Sequence, residues 1–148
     1  MSDAEPTVTR RQDGAVAILT LSNPKRRNAF SPELRTALVG HLDAIAVDDA
    51  VRAILLTGAG GTFSAGGDLS TMQDMTAFEG RERIRAGRRM VEALWGSEKP
   101  IVAAVDGFAF GAGLSLALLA DWIVAGEDAS FCASFGKVGL MGDMGLFW

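Results

Sequence analysis

The chain has 148 residues, 49% of them hydrophobic and 22% charged, a balance typical of a globular domain with a real core. Its formal net charge of −4 argues against nucleic-acid binding, which normally requires a basic surface. The single cysteine, Cys132, excludes an internal disulfide, and the single histidine, His41, argues against a histidine-rich metal site. We therefore expect no metal and a reducing compartment.

The N-terminal segment lacks the apolar stretch of a secretory signal peptide, and we expect residues 1–10 to form a flexible tail. The most apolar region, residues 101–126, is interrupted by Asp106 and Asp121. The 14 residues between these two aspartates are too few to cross a bilayer. We therefore expect a soluble, cytoplasmic protein that makes no membrane contact.

The first half of the chain alternates strand and helix patterns. VAILTL at 16–21 predicts a strand, and NPKRRN at 23–28 predicts a turn with three adjacent cations. Ser31 and Pro32 are typical of a helix start, as N-cap and first helical residue. Helical spacing then gives one buried stripe, formed by Leu34, Leu38, Leu42 and Ile45. RAILLTG at 52–58 predicts a second strand that is covered on both faces.

The second half continues the alternation. A helix is predicted at 78–96, before Pro100, with Ile84, Gly87, Val91 and Leu94 on its inner face. Further strands are predicted at 101–105, 122–125 and 130–135, and a helix near 112–120. The repeated succession of strand, loop and helix predicts an α/β domain.

Three other features favour ordinary structural interpretations. His41 lies beside the apolar stripe of the first helix and is interpreted as a surface or boundary residue. Five arginines between positions 81 and 89 predict a solvated helix face, with a phosphate-attracting rim as the alternative. Cys132 lies in an apolar strand and is expected to be a small buried side chain.

Two glycine-rich turns each follow a predicted strand and lead toward a helix: AGGD at 65–68 and GFAFGAG at 107–113. A helix N-terminus presents unpaired N–H groups and a positive dipole potential. Two such turns brought together would aim two donors at one oxygen, an arrangement that stabilises an oxyanion or enolate. Spacing alone leaves this hypothesis open beside that of two purely structural turns.

Four segments resemble, in order, the signatures of the crotonase family, also called the enoyl-CoA hydratase/isomerase superfamily. They are LSNPKRRNAFS (21–31), FSAGGDL (63–69), KPIVAAVDGFAFGAGLSLALLAD (99–121) and FGKVGLMGDMG (135–145). The resemblance implies a spiral of ββα units, acyl-CoA thioester substrates, and trimers or dimers of trimers. It implies no cofactor, because CoA arrives as part of the substrate.

The apolar end of the chain, at Leu146, Phe147 and Trp148, is unusual for a natural terminus. Together with the resemblance, it leads us to expect that residues 11–148 form the N-terminal core of the domain. The C-terminal helices of the family would then be missing, and could travel as a separate piece.

The resemblance also implies roles for particular residues. The backbone N–H groups of Gly67 and Ala112 correspond to the oxyanion hole. The CoA-binding region corresponds to Lys25, Arg26, Arg27, Ala65, Gly66, Asp68 and Leu69, where cations suit phosphate groups. Asp68 is expected to hold its loop rather than to react.

The two glutamates that hold a water in family hydratases correspond here to Ser115 and Phe135, neither of which is a general base. A carboxylate does occur at Asp143, which resembles the aspartate of several family isomerases, with Gly142 in place of the usual proline. Its apolar neighbours Met141, Met144 and Leu146 predict a raised pKa. The alternative is an ordinary turn aspartate.

This pattern predicts double-bond isomerisation of an acyl-CoA, because one base suffices for an allylic proton shift whereas hydration needs two carboxylates. Two alternatives stay open. One is hydratase or other crotonase-type lyase or hydrolase chemistry that uses a residue outside this chain. The other is a non-catalytic acyl-CoA-binding or assembly subunit.

Overall fold

The computed structural model describes residues 5–147, and within that range the chain forms ten regular elements joined by short turns. In order, they are β1 (Thr7–Asp13), β2 (Val16–Ser22), α1 (Pro32–Ala46), β3 (Ala53–Gly58), α2 (Ala77–Trp95), β4 (Ile101–Val105), β5 (Phe108–Phe110), α3 (Ala112–Leu118), β6 (Trp122–Ala125) and β7 (Ser130–Cys132). Four 3-10 turns lie between or after them, at Pro24–Arg26, Ala59–Gly61, Leu69–Thr71 and Ser134–Val138. The expected α/β class is confirmed.

The described strands form one five-stranded sheet in the order β1-β2-β3-β4-β6 and one two-stranded sheet of β5 and β7. β1 is antiparallel to β2, and the remaining pairs are parallel. Because the carboxyl ends of neighbouring parallel strands lie at the same edge of a sheet, the loops after β3 and β4 start side by side. Those loops carry the two glycine-rich turns.

The predicted start and stripe of α1 are confirmed. The Ser31 hydroxyl oxygen accepts a hydrogen bond from the Leu34 N–H at 3.3 Å, as an N-cap does. All four residues of the predicted stripe are buried in the core: Leu34, Leu38, Leu42 and Ile45. His41 is half-buried, with its Nε2 2.8 Å from the carbonyl oxygen of Val8, which fits a boundary residue.

The prediction of a tail over residues 1–10 is wrong for Thr7 onward, and residues 1–4 lie outside the described part. β1 pairs with the whole of β2, and Val8 is buried opposite Leu21. The charged residues of β1 hid the strand, because an edge strand needs few buried side chains. The three-residue strand β5 was also missed, since the glycines on either side of it suggested only a turn.

Two predictions of burial are wrong. Ile84 is 74% exposed, and the buried residues of α2 begin only at Gly87, so the first half of the helix lies outside the core. Met90, which was not expected to be buried, is fully buried. Gly87 and Leu94 are buried as predicted. Cys132 is only half-buried, because β7 ends there and lies in the small sheet rather than in the core. No helix among residues 5–147 is both long enough and apolar enough to cross a membrane.

Candidate active site

The two glycine-rich turns are joined by backbone hydrogen bonds. The Ser64 N–H donates to the carbonyl oxygen of Phe108 at 2.8 Å, and the Phe110 N–H donates to the carbonyl oxygen of Ser64 at 3.0 Å. A Cβ atom built on Gly66 would lie 2.5 Å from the Phe110 carbonyl oxygen and 3.4 Å from the Ala112 nitrogen. The turn at Gly66 therefore packs directly against the first residue of α3.

This contact explains why glycine occupies the turn. Gly66 has a φ of +98°, which L side chains rarely adopt, and has no room for a Cβ. On the other side of the contact, a Cβ on Gly113 would lie 2.6 Å from the Ser64 carbonyl oxygen. The close approach of two backbones therefore requires glycine at both positions.

The amides of Gly67 and Ala112 have no backbone acceptor among residues 5–147. The bridge between Phe30 and Gly67 uses the flanking Gly66 carbonyl and Asp68 N–H instead, at 2.8 and 3.4 Å. Ala112 is the first residue of α3, where a helix has no internal acceptor for its N–H groups. Both predicted oxyanion donors therefore lie in adjoining turns with no intramolecular backbone acceptor.

Asn28 fixes the cationic turn to the loop that leads from β3 into the first glycine-rich turn, a role that the sequence analysis missed. The Asn28 side chain is buried, and its Nδ2 donates to the carbonyl oxygens of Ala59 and Thr62 at 2.9 and 2.6 Å. Its Oδ1 accepts from the Asn23 N–H at 2.9 Å. The segment NPKRRN contained a signal for this role, because asparagine tolerates the positive φ that closes a turn and its side chain can form hydrogen bonds there. Asn28 has a φ of +57°.

The predicted CoA-binding residues lie together around this junction. The Ala65 N–H donates to the Arg27 carbonyl oxygen at 2.9 Å, and the Arg27 guanidinium lies 5.9 Å from the Phe108 ring centroid. Lys25 and Arg26 are exposed and line a groove with Asp68. The remaining two members lie in the same loop: buried Gly66 and half-exposed Leu69.

Asp68 holds the loop, as expected. Its Oδ1 accepts from the Ser70 N–H at 3.0 Å and from the Ser70 hydroxyl at 2.6 Å, which caps the 3-10 turn at Leu69–Thr71. The carboxylate is thus engaged in its own loop.

Ser115 and Phe135 are both buried. The Ser115 hydroxyl donates to the carbonyl oxygen of Asp143 at 2.9 Å. The Phe135 ring lies near Gly111, with its Cε1 4.0 Å from where a Cβ of Gly111 would be. Neither the Ser115 hydroxyl, which already donates to a carbonyl oxygen, nor the aromatic ring of Phe135 can activate a water as paired carboxylates do. Position 115 instead anchors the segment that carries Asp143.

The segment around Asp143 is held at two further points. Gly142, where the family usually has proline, packs against the movable end of the Leu146 side chain: a Cβ on Gly142 would lie 2.6 Å from the Leu146 Cδ2. The Met144 sulfur lies 3.0 Å from the Cβ position of Gly87 on α2. Met141 is 80% exposed, so the expectation that it helps to enclose Asp143 is wrong.

Asp143 itself is exposed, yet the surrounding chain removes enough water from its carboxyl group to raise its pKa above the ordinary aspartate value. Arg83 on α2 and Arg35 on α1 oppose this rise in pKa by attracting the ionised form. Sequence reasoning treated Arg83 as part of a solvated face and did not consider Arg35. Residues 5–147 contain no group of three or more metal-ligating His, Cys, Asp or Glu side chains.

Comparison with known proteins defines the class. The family model described as enoyl-CoA hydratase/isomerase matches residues 11–148. The chain belongs to this family, and the resemblance seen in its four motifs is confirmed.

Two curated relatives of equal identity carry different activities in their names. It is 39% identical over 137 residues to the 1,2-epoxyphenylacetyl-CoA isomerase of Escherichia coli (strain K12), covering 90% of this chain and 52% of that protein. It is also 39% identical over 140 residues to the 2,3-dehydroadipyl-CoA hydratase of the same organism, covering 93% and 52%. The chain therefore spans about half the length of these curated relatives.

A solved structure confirms the crotonase-like fold. The crystal structure of an enoyl-CoA hydratase from Polaromonas sp. JS666 superposes with a TM-score of 0.89 at 38% identity, covering 94% of this chain and 55% of that one. The fold described above is thus the crotonase fold over the part that the two chains share.

Proposed function

We propose that this chain binds an acyl-CoA thioester and supports double-bond isomerisation through an enolate. The observation that carries the proposal is the contact between the Gly66 turn and Ala112. The backbone carbonyl of Asp143 is anchored close to that contact by a hydrogen bond from Ser115, which lies on the same helix as Ala112. Two relatives support the substrate class, because both names specify a CoA thioester.

In the proposed reaction, the thioester carbonyl oxygen accepts hydrogen bonds from the Gly67 and Ala112 N–H groups. A donor of this kind is typically worth about 2.7–4 kcal/mol of transition-state stabilisation. These hydrogen bonds stabilise the negative charge that develops on the oxygen when a proton leaves, so the carbon next to the carbonyl group becomes more acidic. Asp143 removes a proton from that carbon and returns it to another carbon, so that the double bond moves and no atom is gained or lost.

The choice of isomerase over hydratase rests on the residues at the two hydratase positions. Hydration needs a water held and activated by paired carboxylates, and Ser115 and Phe135 supply none. The hydratase alternative is supported by the similarity to the 2,3-dehydroadipyl-CoA hydratase of Escherichia coli. It would require an acid from outside the described residues.

CoA enters as part of the substrate, and the reaction uses no separate cofactor. The exposed Lys25, Arg26 and Arg27 provide cations for the phosphate groups of CoA. We infer a cytoplasmic assembly of three or six copies, with neither nucleic acid nor membrane as a partner. The acidic net charge of −4 supports the exclusion of nucleic acid.

The test compares wild-type protein with Asp143→Asn in two assays. Conversion of a 3-enoyl-CoA to its 2-enoyl isomer should be lost in the variant, whereas CoA-thioester affinity measured by calorimetry should stay within about threefold. Asp128→Asn, in the exposed turn before β7, controls for the loss of one charge and should isomerise normally.

Three other outcomes would contradict the proposal. Hydration of a 2-enoyl-CoA without isomerisation would identify a hydratase. Thioester binding with no turnover of either substrate, unchanged by Asp143→Asn, would identify a non-catalytic binding subunit. Absence of thioester binding would exclude both the proposed isomerase and the non-catalytic binding subunit.

A further inference from the structure

Arg83 differs from neighbouring arginines on α2. Three of the others pair with exposed acids, in the pairs Arg85–Glu82, Arg88–Glu92 and Arg89–Asp43. The Arg83 side chain instead reaches the 3-10 turn that follows the first glycine-rich turn, where its Nη1 donates to the Thr71 hydroxyl at 2.8 Å.

That contact connects Arg83 to the proposed oxyanion donor. The Thr71 hydroxyl donates to the carbonyl oxygen of Asp68 at 2.7 Å, next to Gly67 in the chain. A Cβ on Gly67 would lie 3.7 Å from the Arg83 Nη2. The guanidinium therefore borders the turn that presents the Gly67 amide.

The segment carrying Asp143 docks on the same face of α2. Gly87 lies four residues after Arg83, which places both on one side of the helix. The Met144 sulfur lies 3.0 Å from where a Cβ of Gly87 would be, and Ser115 holds the backbone carbonyl of Asp143, so the backbone at Asp143 is anchored beside this face of α2. The charges that act on Asp143 are Arg83 from α2 and Arg35 from α1, whereas α3 presents the uncharged Ser115.

Arg35 adds a second cation that needs compensation. It is only 8% exposed, its Nε has no hydrogen-bond partner within the described chain, and its Nη2 reaches the Phe30 carbonyl oxygen only at 3.5 Å. A buried cation is costly unless an anion offsets its desolvation. The anions that act favourably on Arg35 are Asp143 and the exposed Glu33.

We propose that Arg83 is a positioning residue: it braces the turn that carries the Gly67 amide and, together with buried Arg35, supplies positive charge beside the segment that carries Asp143. This inference rests on the proposed acid–base role of Asp143 for its functional meaning. Burial favours the neutral carboxyl group, whereas a base must be ionised to take a proton. Both guanidinium groups favour the ionised form and so oppose the effect of burial. The hydrogen bond from Arg83 to Thr71 keeps one of these charges beside the turn that carries the proposed oxyanion donor.

The experiment measures the titration of Asp143 directly and without substrate. Protein labelled with ¹³C at the aspartate carboxyl groups is titrated by NMR, and the Asp143 signal is assigned by its absence in Asp143→Asn. In Arg83→Gln, the pKa of Asp143 should be higher than in wild type, because an attractive positive charge is lost. Arg83→Lys, which keeps the charge, should return the pKa toward the wild-type value.

Arg85→Gln is the matched control, since it removes the same charge from the same helix at an exposed position paired with Glu82. It should leave the Asp143 titration at the wild-type midpoint. A second measurement uses wild type alone: added salt screens the guanidinium charge and should raise the pKa of Asp143.

An Asp143 midpoint that is the same in wild type, Arg83→Gln and high salt would overturn the inference. Because this readout needs no turnover, its failure differs from that of the proposed function. Isomerisation with an unmoved midpoint would remove only the role of Arg83. A shifted midpoint without isomerisation would remove only the reaction.

Discussion

Ser115 and Asp143, 28 residues apart in the chain, are joined by a hydrogen bond of 2.9 Å from the serine hydroxyl to the aspartate carbonyl oxygen. The serine occupies the position that corresponds to a hydratase glutamate. Serine at this position supplies no carboxylate, and its hydroxyl anchors the segment that carries Asp143, the proposed acid–base residue.

Replacing Ser115 by alanine should destabilise the protein by about 1 kcal/mol, the usual value of a buried hydrogen bond. The Asp143 carbonyl also accepts from the Leu146 N–H, so it keeps a partner and the cost stays moderate. Urea unfolding measures the change. Thr36→Ala is the control, because it removes an exposed hydroxyl that donates to a carbonyl at the same 2.9 Å. The control should lose less than Ser115→Ala because its hydroxyl is exposed. Equal losses in both variants would contradict the prediction that the Ser115 hydrogen bond contributes more than a surface one.

Gly66→Ala tests the convergence of the two glycine-rich turns. The control is Gly60→Ala, where φ is also positive, at +68°, but no atom lies within 4 Å of the new Cβ. The control should cost about 1–2 kcal/mol from its backbone conformation alone. Gly66→Ala should cost roughly 1–3 kcal/mol more, because its Cβ would overlap the Phe110 carbonyl oxygen. Unfolding curves that place both variants together would mean that the two turns do not touch.

The raised pKa of Asp143 predicts how the stability of Asp143→Asn depends on pH. The folded protein holds this proton more tightly than the unfolded chain, so ionisation of Asp143 costs stability. The cost is absent below the ordinary aspartate pKa and develops as pH rises through the raised folded-state pKa. Asparagine cannot ionise, so the variant should gain on wild type as the solution is taken from acid to neutral pH.

Unfolding free energies of both proteins across that pH range provide the measurement, with Asp128→Asn correcting for the loss of one surface charge. A difference that grows on acidification would carry the opposite sign. It would show that the fold favours the ionised carboxylate, with the arginine attraction outweighing burial.

The elements with strong local patterns could be predicted. α1 has a capping serine, a proline at its first residue and an unbroken stripe, and all three depend only on residues within the helix. β1 and β5 could not, because an exposed edge strand and a three-residue strand are defined by their partners. The burial of Ile84 on α2 was mispredicted for a similar reason. Helical spacing predicts which residues share a face of the helix, but not where along the helix that face enters the core.

The candidate site divides in a similar way. The glycine pair at 66–67 and the missing acids at 115 and 135 could be interpreted from the motifs. The roles of Asn28, Arg35 and Arg83 depend on side chains that reach across loops and helices, and no spacing rule in the sequence predicts such contacts.

By itself, the sequence determined the α/β class, the family, the strand-to-helix turns and which residue types are available for chemistry. Those follow from local backbone preferences and from residue identity. Only the tertiary structure decided that the Gly66 turn meets Ala112, that Ser115 anchors Asp143 and that two arginines act on its carboxylate. Each of these relationships joins residues from different parts of the fold. The parallel sheet brings the Gly66 turn and Ala112 together by aligning the carboxyl ends of β3 and β4.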